Sequence, residues 1–155
     1  MLDWQTSAAI ASALAAILAA AIAVYTVKRT LWLSAMVALE ERFAQINHAK
    51  IAEPSAWESI IDAGTLGDRA KHLVFETFQF YHQAFWLRQR HAISAADYKY
   101  WGNRLETDLA TFPAYRDWWE QDQPVFHSAW DKRFVEHVQE TIRKVKADAR
   151  SKGSS

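Results

Sequence analysis

Six histidines and eighteen carboxylates are the groups in this 155-residue chain best suited to ligate a metal or move protons. No cysteine is present, which excludes thiolate-bound zinc, iron–sulfur clusters, thiol catalysis and disulfides together. His127 and Asp131 stand four residues apart, and His137 and Glu140 three apart, so each pair shares a helix face. With His137, the first pair is the most that a small metal-dependent or acid–base hydrolase would have to work with. Such two-residue pairs arise readily by chance, HExxH is absent, and His72, His82 and His91 share no helical face. No Ser lies in a G-x-S-x-G elbow, and the four glycines build no phosphate loop. Asp117 and Glu120 read as exposed helix charges. The residues therefore lead us to expect no catalytic residue, no cofactor and no metal.

Two other groups carry chemistry of a different kind. Arg88 falls within the apolar arc of a long helix, where a buried guanidinium needs a carboxylate such as Glu106, Asp108 or Asp117, or else an anion, unless its stem reaches solvent near the helix end. Phe75, His82 and Trp86 run along the edge of that helix's polar arc, where large rings either meet the domain or offer a partner surface. From Lys132 on, basic residues outnumber acidic ones seven to three, with Arg143, Lys144, Lys146 and Arg150 clustered late. They suit the helix C-terminus through its dipole, or an anionic leaflet.

The elements that must hold these residues are helical. Between Asp3 and Lys28 lie 24 residues without charge, proline or glycine. As a helix they would span about 36 Å, against a hydrocarbon core of about 30 Å. Their apolar residues are not confined to one face, and Trp4 and Tyr25 place a ring near each interface. Asp3 without a Lys or Arg argues against a cleaved signal peptide, whose start is basic. Lys28 and Arg29 follow the span directly, so the positive-inside rule puts the N-terminus outside and the rest in the cytoplasm. We expect an all-α protein: an anchor over 1–29, a juxtamembrane helix over 30–52, a bundle over 53–148, and a disordered polar tail over 149–155.

Within that plan Trp32, Met36, Leu39, Phe43 and Ile46 form a heptad-type seam, facing the bundle or a second copy of the chain. Ala8, Ser12, Ala16 and Ala20 would allow close contact between two anchors. Ser55-x-x-Glu58, Thr65-x-x-Asp68 and Ser94-x-x-Asp97 read as capping boxes for a short helix ending near Gly64, a long one over 66–92 and one over 95–111. Pro113 and Pro124 suit the first turns of two more, the last over 124–148 with Phe126, Trp130, Phe134, Val138 and Ile142 in one stripe. Sixteen of 21 aromatic residues fall between Phe75 and Phe134, enough ring area to fill a small core.

The run Phe78-Gln79-Phe80-Tyr81, the Arg88-x-Arg90 end before Ile93-Ser94, the segment Phe112-Pro113-x-Tyr115-Arg116-x-Trp118-Trp119-Glu120 and the closing Phe126…Phe134-Val135-x-x-Val138 resemble a loose group of small bacterial proteins. Those have one N-terminal membrane helix and an aromatic-rich cytoplasmic helical domain. The resemblance implies this architecture and a bacterial inner-membrane setting, and no activity or site residue. Together the expectations favour a membrane-tethered, non-enzymatic interaction module that binds a protein partner and no nucleic acid, with the hydrolase and the basic-helix membrane binder as alternatives.

Overall fold

The computed structural model describes residues 4–62, 65–121 and 130–153, and among these it contains six helices and no strand. The first, α1 (Trp4–Ala52), is one unbroken 49-residue helix. It has no internal proline or glycine to stop it, and so reaches about 74 Å. Its two halves differ sharply. Among the described residues one helix is long and apolar enough to cross a membrane, and none of its most apolar 18-residue window is buried against the rest of the protein. The second half turns Leu39 and Ile46 into the core and packs Phe43 against Phe80 and Trp101, with ring centroids 5.6 and 5.4 Å apart. The heptad-type seam thus meets the bundle of its own chain.

Helix α2 (Pro54–Ile61) starts two residues earlier than the Ser55 capping box implies. Pro54 takes the first helical position, where its missing N–H costs nothing, and Glu53 stands at the N-cap without a side-chain bond. Gly64 lies outside the described residues. Helix α3 (Asp68–Gln89) is shorter than 66–92 at both ends. Gly67, not Thr65, is its N-cap, leaving Asp68 in the first turn where a carboxylate meets the positive end of the dipole. At the other end the N–H of His91 donates to the Arg88 carbonyl and that of Ala92 to the Leu87 carbonyl. This Schellman closure forces His91 to φ 56°, a conformation usually given to glycine.

Helix α4 (Ala95–Thr111) begins as the sequence implies, with a reciprocal box between Ser94 and Asp97. Helix α5 (Pro113–Gln121) follows after Phe112 alone. Helix α6 (Lys132–Gly153) starts well after Pro124. Asp131 caps it by accepting from the Arg133 N–H at 2.8 Å, so Trp130 precedes the helix. Pro124 and Phe126 lie outside the described residues. The expected disordered tail is helical through Gly153, because no breaker interrupts the turns after Lys146.

Helix α3 is central, touching α1, α2, α4 and α5. Trp119 is the node of the core: its ring meets Phe78 at 4.6 Å, Trp130 at 5.8 Å and Phe134 at 5.9 Å. Helix α3 runs back along α1, since Arg69 meets Glu53, Glu76 pairs with Arg42 and Trp86 faces the stretch from Tyr25 to Ala35. Its C-terminal end therefore comes to the side of the bundle from which the apolar half of α1 projects. Helix α6 starts at the same end, where Arg133 meets Gln89 at 3.2 Å. It leads away from it, so Lys146 lies about 20 Å further along the axis.

Candidate functional site

Where α1 leaves the bundle, its face from Tyr25 to Ala35 and the end of α3 with the α3–α4 turn, Trp86 to Ser94, enclose an open groove of about 1110 Å³. Four guanidinium or ammonium groups line it, Lys28 and Arg29 from one wall and Arg88 and Arg90 from the other, with His91 beside them. No Asp or Glu is among its lining residues. None of the four cations makes an ion pair among the described residues. The Arg90 guanidinium lies 4.8 Å above the Trp86 ring, a cation–π contact that holds it at the rim.

A carboxylate bonded to two of the lining residues is already engaged. One Asp97 oxygen accepts from the Ser94 hydroxyl at 2.6 Å and from the Trp32 indole N–H at 3.0 Å. These bonds, the Ser94 one foremost, hold the Asp97 carboxyl below the usual carboxylate range. The capping box of α4 thereby doubles as the clasp that fixes α1 against the bundle beside the groove.

The sequence-derived candidates are placed as follows. Arg88 is half-buried but pairs with none of the expected carboxylates. Asp108 accepts from the Tyr81 hydroxyl at 2.6 Å, Glu106 holds Lys144 at 2.8 Å, and Asp117 is exposed. Among the described residues Arg88 therefore has no carboxylate partner, and the expected buried ion pair is not formed. Phe75 is corrected from surface to core edge, with its ring 5.7 Å from Trp130 and 6.3 Å from Trp118. His82 also packs inward, 5.0 Å from Phe134, and its Nε2 accepts from the Asp131 N–H at 3.2 Å. Trp86 alone of the three is exposed, at 44%. Below it Arg42, Gln79 and Gln83 shape a second, smaller depression.

Of the hydrolase residues, Asp131 caps α6, while His137 stacks on Phe85 at 5.5 Å and meets the Tyr98 hydroxyl at 3.2 Å. His127 lies outside the described residues. Among those described, no three His, Asp or Glu side chains converge as a metal site. The late basic cluster lies along the far half of α6, where Lys144 and Lys146 are taken by Glu106 and Glu120 at 2.8 and 2.6 Å. Arg143 lies on an exposed face, and Arg150 in the last turns.

Two features went unread in the sequence. A buried polar cluster joins Asp108 and Tyr81 to the Thr77–Tyr115 contact, and burial pushes both tyrosines well up. Beside it, burial pulls Lys50 down, against the pull of Asp108. The basic groove was missed as well, because it is made of two short basic pairs about sixty positions apart.

The two packed histidines set a pH response. Burial lowers both His82 and His137 from the ordinary value, partly offset by Asp131 and Glu140 respectively. Between the unfolded value near 6.5 and the lower folded values, the unfolded chain binds more protons, so acid favours unfolding. The stability from these neutral rings is complete above about pH 6.5 and is lost as pH falls through their folded values. Urea midpoints should fall between pH 7 and pH 5, and the His82→Gln, His137→Gln double variant should show a shallower fall.

His91 supplies a second check. A non-glycine residue in the left-handed region costs about 1 kcal/mol. His91→Gly is therefore expected to raise stability by about that amount in denaturant melts.

The chain matches no protein-family model, no curated protein and no solved structure. Fold and site together describe an all-α bundle carried on a helix of membrane-crossing length and composition.

Proposed function

We propose that this chain is a single-pass protein of a bacterial inner membrane, with its N-terminus outside and its bundle working in the cytoplasm as a non-enzymatic interaction module. One observation carries the reading: a single continuous helix is apolar and bare over its first half and clamped into an aromatic core over its second. An uninterrupted helix couples the bundle to the anchor without a hinge, which suits a platform held at fixed height on a membrane. Lys28 and Arg29 beside the span, joined in space by Arg88 and Arg90, favour the cytoplasmic side for the bundle. Trp86, exposed beside the Arg42–Gln79–Gln83 depression, has the ring type that anchors protein interfaces.

A photoreactive amino acid at position 86 of the full-length chain, with one at Asn103 as control, tests this in cells. The chain should stay with membranes through an alkaline carbonate wash, and position 86 should capture a discrete partner that position 103 does not. Release by the wash would refute the membrane reading. Identical capture at both positions would refute the interaction surface, and an adduct of twice the chain mass would make the partner a second copy.

A further inference from the structure

We propose that the basic groove between α1 and the end of α3 is a binding site for the phosphate headgroup of an anionic glycerophospholipid in the cytoplasmic leaflet. The inference rests on the reading that residues 4–27 lie in lipid, and adds to it a specific ligand. Four cations from two walls converge on a cleft with no acidic lining residue, and none of the four has an ion-pair partner among the described residues. Like charges gathered in this way repel one another unless an anion lies between them. The negative C-terminal end of α3 would by itself account for Arg88 and Arg90. It does not account for Lys28 and Arg29, which sit in the middle of a 49-residue helix.

Position selects the source of the anion. The groove covers α1 from Tyr25 to Ala35, about 15 Å of axis beginning at the last turn of the uncharged span. Headgroups occupy the layer just beyond the hydrocarbon, on the order of 5–8 Å thick on each side. A phosphate there would be met at its own depth, with Tyr25 on the side from which acyl chains would come. Free phosphate gains nothing from such a position.

The backbone adds a separate observation. His91 occupies the left-handed closing position of α3, where glycine would be less strained, and its side chain lines the same groove. Strain of this sort is retained where a side chain has work to do. A histidine there can donate to a phosphate oxygen, which glycine cannot.

The test uses full-length protein in maltoside micelles and follows its thermal unfolding against added dioctanoyl phosphatidylglycerol, dioctanoyl phosphatidylcholine or inorganic phosphate. Phosphatidylglycerol alone should raise the unfolding temperature in a saturable way. Arg88→Gln with Arg90→Gln should weaken its binding on the order of thirtyfold, about fivefold for each cation lost near the surface. Lys144→Gln with Lys146→Gln, on the far half of α6, should leave it unchanged. If the first pair unfolds without lipid, Arg29→Gln on the opposite wall reads the same quantity, with about a fivefold loss expected. No preference for phosphatidylglycerol over phosphatidylcholine would overturn the proposal. So would equal losses from the groove and α6 variants, or equal stabilisation by inorganic phosphate. A chain that resists carbonate washing but shows no such preference would sink the headgroup site alone; one that washes off sinks the membrane reading beneath it.

Discussion

Replacing Trp119 with alanine is expected to lower the stability of the bundle by about 3–5 kcal/mol, the cost of deleting a large buried ring whose cavity the surroundings cannot fill. The ring is 2% exposed and touches aromatic groups from α3, from α6 and from Trp130 just ahead of α6. Collapse around the gap would require three elements to move together, which places the loss in the upper part of that range. Trp118, its neighbour in sequence, stacks on Phe78 at 5.5 Å with an interplanar angle of 17°, so the two rings grip one phenylalanine from α3. Chemical denaturation of the full chain in micelles measures the effect. The same change at Trp86, exposed on α3, should cost under about 1 kcal/mol. Comparable losses at both positions would mean that the core is not centred where the ring geometry puts it.

A second large effect should come from shortening the chain. A protein beginning at residue 30 keeps Leu39, Phe43 and Ile46 and is expected to fold cooperatively. One beginning at residue 53 loses all three, together with Met36, which packs against the same core. At about 1.5–3 kcal/mol for each large apolar side chain, that removes on the order of 6–12 kcal/mol, comparable to the whole stability of a domain this size. It would also open Phe80 and Trp101 to water, since both rest on Phe43. Circular dichroism and a urea melt on the two shortened chains separate the outcomes. A cooperative melt from the chain starting at 53 would show that the lower half of α1 is only a stalk.

The parts legible in the sequence are those written in local pattern. The uncharged stretch of α1 declared its length directly, and Ser94 with Asp97 fixed the start of α4 because both halves of the box are satisfied by neighbours. Of the last stripe, Trp130, Phe134, Val138 and Ile142 turned inward as its spacing implies. The misplaced boundaries share a cause, namely competition between adjacent signals. Pro54 outweighed Ser55 as a helix start, and Gly67 outweighed Thr65. The end of α3 was unreadable because its closing position carries His91 instead of glycine. The site was least legible of all. Whether Phe75 and His82 face in or out depends on where Trp130 and Phe134 arrive, which no spacing within α3 encodes. Arg88 looked like half of a buried ion pair because the arc it sits in is apolar. Its actual neighbours, Lys28 and Arg29, come from the other wall of a groove that exists only once α3 has folded back along α1.

Because the chain has no native cysteine, the proposed placement in the membrane can be read with single reporters. Leu2→Cys and Asn103→Cys, each in the full-length chain in intact cells, would be exposed to a maleimide that cannot cross the inner membrane. Labelling is expected at position 2, and at position 103 only after the cells are broken open. Labelling at position 103 in intact cells, or the chain appearing in the soluble fraction, would contradict an anchor that holds the bundle and its basic groove against the inner face.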